Sequence, residues 1–472
     1  MIGMGRFLEF FRPIAPFVPE VKTPERKVSF NRKLMWTGIA LICYLIMAET
    51  PLYGVNIDPS QAQQMAAYRV IFASTAGTLL ELGIGPIVTA GLIIQLLAGS
   101  DLIGFDNTNP EDRALFTTVS KIFSFLMIAF QSLSYIVTGQ YGRLTLSTSA
   151  IIFAQLFLAG FVLMMLDEMV QKGWGIGSGI SLFIVAGITK TIWISSFNLY
   201  PAADGRMIGA IWAFAQGIMR GDPVLNWFYR PGYPDMIGLL TTVAVFAFVV
   251  YVEGMRVELP VSHSSFRGFR GKMPIKLLYV SNIPVILTYT LFGFLQMVSQ
   301  LVWSQWNADN ANTLLNLFGT FNATTGRPTG GLVYYTTSPG SLGGVINEPI
   351  RALVYLLIVV AVCILFSLTW LEIGGLGAQN MADQLLSSGM QVPGFRRSRR
   401  PLVALLNRYI PTITVIGGFI IGMLAALSEF LNVFGSGMGA LLCVSIMYQY
   451  YQTMVQEQVD ELYPFLRGAF SR

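Results

Sequence analysis

A chain of 472 residues with 54% hydrophobic and only 12% charged residues is too poor in charge to cover itself with a water-facing surface, because soluble domains carry charge on about a quarter of their positions. Its apolar residues come in blocks of about 20, the length that crosses a hydrocarbon core, so the expected class is an all-α polytopic membrane protein. The net charge of +5 is small for this length, so what matters is where the basic residues sit.

The arm 1–33 holds Arg6, Arg12 and three prolines, Pro13, Pro16 and Pro19, ahead of any long apolar run. No cleavable signal peptide is expected from it. Ten spans follow: 34–51, 78–98, 114–138, 147–168, 176–197, 236–256, 277–303, 350–372, 408–430 and 436–456. The arm has seven Lys or Arg, and loops 257–276 and 373–407 have four each. Loops 198–235 and 304–349 together have only Arg206, Arg220, Arg230 and Arg327. Ten spans put the fifteen basic residues on one side and the four on the other, and the positive-inside rule makes the richer side, with both termini, cytoplasmic.

Between Pro51 and Gly77 a weakly apolar stub, Met65 to Ser74, has helical composition but half the spanning length. It reads either as an amphipathic helix on the external surface or as a segment folded back into a cavity, which is allowed at membrane depth only inside protein.

The span middles are almost free of charge. Glu49, Glu81, Lys121, Asp167, Glu168, Glu253, Glu372 and Glu429 lie near span ends, and Lys190 is placed to snorkel outward. An ion-coupled pump needs ionisable groups at the midplane. The sole histidine, His263, lies in a charged loop, and Ser178 and Ser436 stand between glycines with no partnered histidine, so no catalytic constellation is expected. Cys43, Cys363 and Cys443 sit singly in apolar blocks and imply neither a disulfide nor a metal. No cofactor is expected.

Glycine clusters open three spans, at Gly83 to Gly85, Gly173 to Gly179 and Gly435 to Gly439. Close helix packing is one explanation. The other lies just beyond: Ile84 with Val88, and Ile180 with Ile184, stand at i, i+4 on one helix face. A ring of aliphatic side chains closes around a moving chain without holding it and blocks ions by dewetting when empty.

Leu80 to Gly91 (LELGIGPIVTAG), Gly175 to Phe183 (GIGSGISLF), Met255 to Pro260 (MRVELP) and Tyr279 to Ile286 (YVSNIPVI) closely resemble stretches of the SecY family, and Pro24-Glu25-Arg26-Lys27 is similar to its archaeal and eukaryotic branch. The resemblance implies two pseudo-symmetric inverted halves, 34–197 with spans one to five and 236–456 with spans six to ten. They are hinged by the external loop 198–235 and flanked by the arm 1–33 and a tail 457–472.

The same resemblance implies a pore ring of Ile84, Val88, Ile180, Ile184, Ile286 and Leu442, and a plug of Ala66, Ala67, Tyr68, Arg69, Val70, Ile71, Phe72, Ala73 and Ser74. It implies a lateral gate at Thr89, Gln131 and Phe294, the last standing where the family often has asparagine. Ribosome or partner docking falls on Arg267, Arg270, Lys272, Arg396, Arg397, Arg399 and Arg400.

Two small membrane subunits, SecE-type and beta-type, are the implied partners, with a ribosome, a translocating polypeptide and the lipid bilayer. The implied function is passive conduction of unfolded secretory chains and lateral release of apolar segments into lipid. The expected location is an archaeal cell membrane or an endoplasmic reticulum membrane. The rival class, a secondary transporter of a small solute, needs a polar midplane site, and only scattered Thr, Gln and Asn stand there.

Overall fold

The computed structural model describes residues 12–13, 16, 18–55, 73–99, 110–138, 141–142, 144–202, 205–228, 230, 232–263, 270–280, 283–322, 327–340, 342–387, 390–391 and 399–462. Among these, ten helices have 15 residues or more. They are α1 (Phe30–Glu49), α2 (Gly85–Gly99), α3 (Pro110–Val137), α4 (Leu146–Met169), α5 (Gly179–Phe197), α6 (Met236–Gly254), α7 (Ile283–Trp306), α8 (Pro349–Ile373), α9 (Arg399–Phe430) and α10 (Gly437–Leu462). Each coincides with one apolar block of the sequence. Seven, α3 to α9, are long and apolar enough to cross a membrane by length and composition alone.

The distribution of side chains suits lipid as the solvent. Leu126 and Leu133 of α3, and Val243 and Val250 of α6, point outward and exposed, whereas Ser132, Thr288 and Thr414 are buried. Those hydroxyls donate to the carbonyl one turn earlier, at 2.7 Å to Ile128, 2.7 Å to Pro284 and 2.8 Å to Ile410. A polar group is thereby satisfied inside its own helix. Lys190 pairs with Glu49 at 2.5 Å and donates to the Ala48 carbonyl at the end of α1.

Lipid tails are as apolar as leucine, so helices associate through close packing at small residues. The α8–α9 contact is built this way. A Cβ on Gly422 would lie 2.9 Å from the Val360 Cα, and one on Gly418 would lie 2.6 Å from the Ser367 hydroxyl. Between α1 and α5 the closure is aromatic, with Tyr44 stacked on Phe183 at 5.1 Å. Helices α1–α5 meet α6–α10 where α5 and α1 pack on α10 and where α2 and α3 pack on α7, with α2 also meeting α8.

Several details depart from the composition reading. The second span is helical only from Gly85, because residues 78–84 form successive turns in which the Glu81, Gly83 and Gly85 amides donate to the carbonyls of Thr78, Leu80 and Leu82. The ninth span starts nine residues before position 408, at Arg399, and holds Pro411 within the helix. The chain is also not wholly helical. The loop expected at 257–276 is an antiparallel hairpin of β1 (Arg256–His263) and β2 (Arg270–Lys276), with Arg256 opposite Lys276 and Ser262 opposite Arg270. A short strand, β3 (Met390–Gln391), pairs with the His263 end of β1 and joins the two basic loops.

Candidate functional site

The glycine-rich entrances to α2, α5 and α10 place the candidate ring. Before α5, α4 continues through a π-helical turn, Val170–Trp174, that ends with Gly173 at φ 94° and is followed by Gly177 at φ 73°, left-handed values that suit glycine. Asp167 caps the helix that follows: its Oδ1 accepts the Ile180 amide at 2.8 Å, and Gln171 holds both carboxylate oxygens at 2.8 Å. A Cβ on Gly179 would sit 2.6 Å from the Asp167 Cα, so this approach requires glycine. Before α10, Ser436 adopts φ 63° and its hydroxyl accepts the Gly439 amide at 3.0 Å, a capping role. Tyr450 of α10 donates its hydroxyl to the Ser178 carbonyl at 2.6 Å, tying the entrance of α5 to α10.

These entrances bring the six nominated ring residues into one apolar cluster. Ile84, Ile184 and Leu442 are almost fully buried members of it, and Val88, Ile180 and Ile286 pack against the same cluster, drawing on the entrance and first turn of α2 and on α5, α7 and α10. The cluster runs on through Tyr289, Tyr355 and Val359 to α8, so the candidate ring is continuous with the core. Two carboxylates border it: Glu81, which accepts the Gly77 amide, and the buried Glu429, which accepts the Tyr355 hydroxyl at 2.7 Å.

Of the expected plug, positions 66–72 lie outside the described residues. Ala73 is 1% exposed and belongs to the same cluster as the ring, and its carbonyl accepts the Tyr44 hydroxyl at 3.0 Å. Ser74 is half-buried beside it. Of the expected gate, Thr89 is buried and donates to the Gly85 carbonyl of its own helix at 2.8 Å, and Gln131 is buried on α3. Phe294 meets Phe130, the neighbour of Gln131, with ring centroids 6.5 Å apart.

The basic residues divide in two. Arg267, Arg396 and Arg397 lie outside the described residues, and Arg270 is placed only as a residue of β2. Lys272 is exposed but paired with Glu258 at 2.5 Å across the hairpin. Arg399 is held by both oxygens of Asp383, at 2.7 and 2.9 Å. Arg400 is exposed with no partner among the described residues.

Sequence reading missed a polar centre at the C-terminal end of α4. Glu168 pairs with Lys121 at 2.5 Å and Lys172 at 2.9 Å, and Lys172 also pairs with Glu20 of the arm. The Trp174 indole donates to the Lys22 carbonyl at 2.8 Å. The opposite charges spaced 168 to 172 were visible; the partners on α3 and in the arm were not.

A bundle of spanning helices whose glycine-rich entrances bring Ile84, Ile184 and Leu442 into one apolar core is the architecture expected of a protein-conducting channel, and comparison agrees. The family model described as SecY matches residues 78–451, and the one described as the plug domain of Sec61p matches residues 42–77. The protein translocase subunit SecY of Pyrococcus furiosus is 42% identical over 470 residues, covering 96% of this chain and 97% of that one. A solved structure described as a protein conducting channel superposes with a TM-score of 0.82 at 36% identity, covering 96% of this chain and 98% of that chain. Sec61 in the canine ribosome-channel complex from the endoplasmic reticulum does so with a TM-score of 0.79 at 36% identity, covering the same shares. The chain belongs to the SecY family, in its archaeal branch, and is a channel for protein translocation. These comparisons give the rival reading, a small-solute transporter, no support.

Proposed function

We propose that Ile84, Val88, Ile180, Ile184, Ile286 and Leu442 form the constriction through which an unfolded polypeptide passes. One observation carries this: the six, from α2 and its entrance, α5, α7 and α10, all belong to or pack against a single apolar cluster. Aliphatic side chains make no directional bond to a passing chain and exclude water when it has left. Segment 66–74 acts as the plug of this constriction, a role supported by the burial of Ala73 in the cluster and its tie to Tyr44. Lateral release proceeds between α2–α3 and α7–α8, where Thr89, Gln131 and Phe294 stand. A segment of about 20 apolar residues sampled there leaves for lipid, and a polar one passes through. Residues 34–197 and 236–456 work as the two halves, and 198–235 as the hinge.

The protein itself is no enzyme, and energy for transport comes from a partner. Homologous channels bind ribosomes, and the basic hairpin β1–β2 with the Arg396 to Arg400 segment serves that contact here. A SecE-type and a beta-type subunit complete the assembly. The location is the cell membrane of an archaeon, with both termini cytoplasmic, as the distribution of Lys and Arg supports.

The test is ion conductance in planar bilayers. Replacing Ile84, Ile184 and Leu442 together with glycine is expected to raise leak, whereas exchanging any one for another aliphatic leaves it low. Loss of folded protein with no gain in conductance would return the six to ordinary packing.

A further inference from the structure

The loop between α7 and α8 presents an apolar face that channel conduction does not use. Within it a short helix, Thr313–Asn316, leads into Leu317 and Phe318. Leu314, Leu317 and Phe318 are 75%, 69% and 56% exposed, and at i, i+3 and i+4 they share one face. The opposite side is fastened. Asn316 accepts from the Asn307 side-chain amide at 2.7 Å and donates to the Asn310 carbonyl at 3.0 Å. The Leu332 and Val333 amides donate to the carbonyls of Leu317 and Phe318 at 2.8 and 3.2 Å. Gly331 permits this approach: a Cβ there would lie 2.5 Å from the Asn316 carbonyl oxygen. The polar groups of the segment thus turn inward, and its apolar side chains are held outward by backbone bonds.

What covers that face follows from its flanks. Trp306, at the end of α7, is exposed, and tryptophan at the end of a span marks the interfacial layer. At the other flank Ile346 of the short helix Leu342–Asn347 is exposed, and beyond the break at Glu348 so are Ile350, Leu353 and Leu357 of α8, three and four residues apart on one helix face. The last three lie on the outer face of α8, one of the seven helices long and apolar enough to cross a membrane, a face that suits lipid. Exposed apolar side chains thus flank the loop at both ends, on a stripe of α8 that suits lipid and at Trp306. Between Thr313 and Asn347 the sequence carries a single charge, Arg327.

We propose that the Leu314, Leu317 and Phe318 face lies in the interfacial layer of the leaflet on its side of the membrane, as an amphipathic anchor that steadies the α7–α8 connection. The occupant is lipid. This stands whichever side the loop faces, and independently of the roles given to the ring and the plug.

The test places a nitroxide at Leu317→Cys, and separately at Leu314→Cys, with Cys43, Cys363 and Cys443 replaced. The protein, purified with whatever subunits accompany it, is returned to phosphatidylcholine vesicles. Oxygen, which concentrates in lipid, and a water-soluble nickel chelate are the collision probes, and Asn322→Cys serves as the water-exposed reference. The expected result is strong broadening by oxygen and loss of broadening by nickel at both positions relative to Asn322. Nickel broadening equal to that at Asn322 would overturn the proposal by placing the face in water. Protection from both probes would overturn it by showing a protein occupant.

Discussion

Phe130 of α3 and Phe294 of α7 meet with ring centroids 6.5 Å apart and planes inclined by 46°. Phe130 is 39% exposed, so the pair lies toward the outside of the α3–α7 seam, beside the buried Gln131. In the lateral gate proposed above, this aromatic contact closes by packing what a polar side chain at 294 would close by hydrogen bonding.

Aromatic pairs are worth about 0.5–1.5 kcal/mol beyond their buried area. Phe294→Ala is therefore expected to shift the closed-to-open balance of the seam roughly two- to twelve-fold toward open. In reconstituted vesicles this is read as membrane insertion of segments of graded hydrophobicity, with weaker segments accepted by the variant. An unchanged insertion threshold would mean that the pair packs without gating.

The arm latch carries a pH dependence. The hydrogen bond from Lys172 holds the Glu20 carboxyl below its ordinary value of 4.5, and the charges of Lys121 and Lys172 add to this. A depressed acid contributes stability above its unfolded pKa and loses it as pH falls through the folded one. Docking of the arm is accordingly complete above pH 4.5 and weakens progressively below it. Glu20 is largely exposed, so the contribution stays below about 1 kcal/mol. Trp174, bonded to the Lys22 carbonyl, reports the change through its fluorescence. Glu20→Gln is expected to show the loosened signal at neutral pH, and identical titrations of the two proteins would remove Glu20 from the latch.

Ribosome binding separates the basic residues by their partners. Arg399 is already neutralised by Asp383, and Lys272 by Glu258, whereas Arg400 is open to phosphate. Arg400→Glu should weaken co-sedimentation with ribosomes more than Arg399→Glu, and both effects should shrink as salt rises. Reversing Arg267, Arg270, Arg396 and Arg397 together should weaken it further. Binding at physiological salt that ignores all of these charges would leave only positive-inside retention as their role.

The helices were legible because the apolar blocks are long and nearly free of charge. The aliphatic cluster was legible because Ile84 with Val88 and Ile180 with Ile184 repeat at helical spacing after glycine. The hairpin β1–β2 was not, although Val257, Leu259 and Val261 alternate, because Pro260 and Pro274 interrupt both strands with residues that lack an amide proton. The early turns before α2 were hidden since Leu79 to Ile84 is as apolar as the helix it precedes. The Phe130–Phe294 contact joins residues 164 positions apart, a pairing no local pattern contains.

The most direct measurement asks where a chain in transit lies. A secretory polypeptide arrested on the ribosome, with a single cysteine at the depth of the constriction, is tested for disulfide formation with Ile184→Cys, Leu442→Cys and, on the outer surface of α6, Val243→Cys. A channel conducting through the Ile84, Ile184 and Leu442 cluster gives crosslinks at 184 and 442 and none at 243. Crosslinking at 243 equal to that at 184, or none at 184 and 442 while the chain is demonstrably engaged, would contradict passage through this constriction.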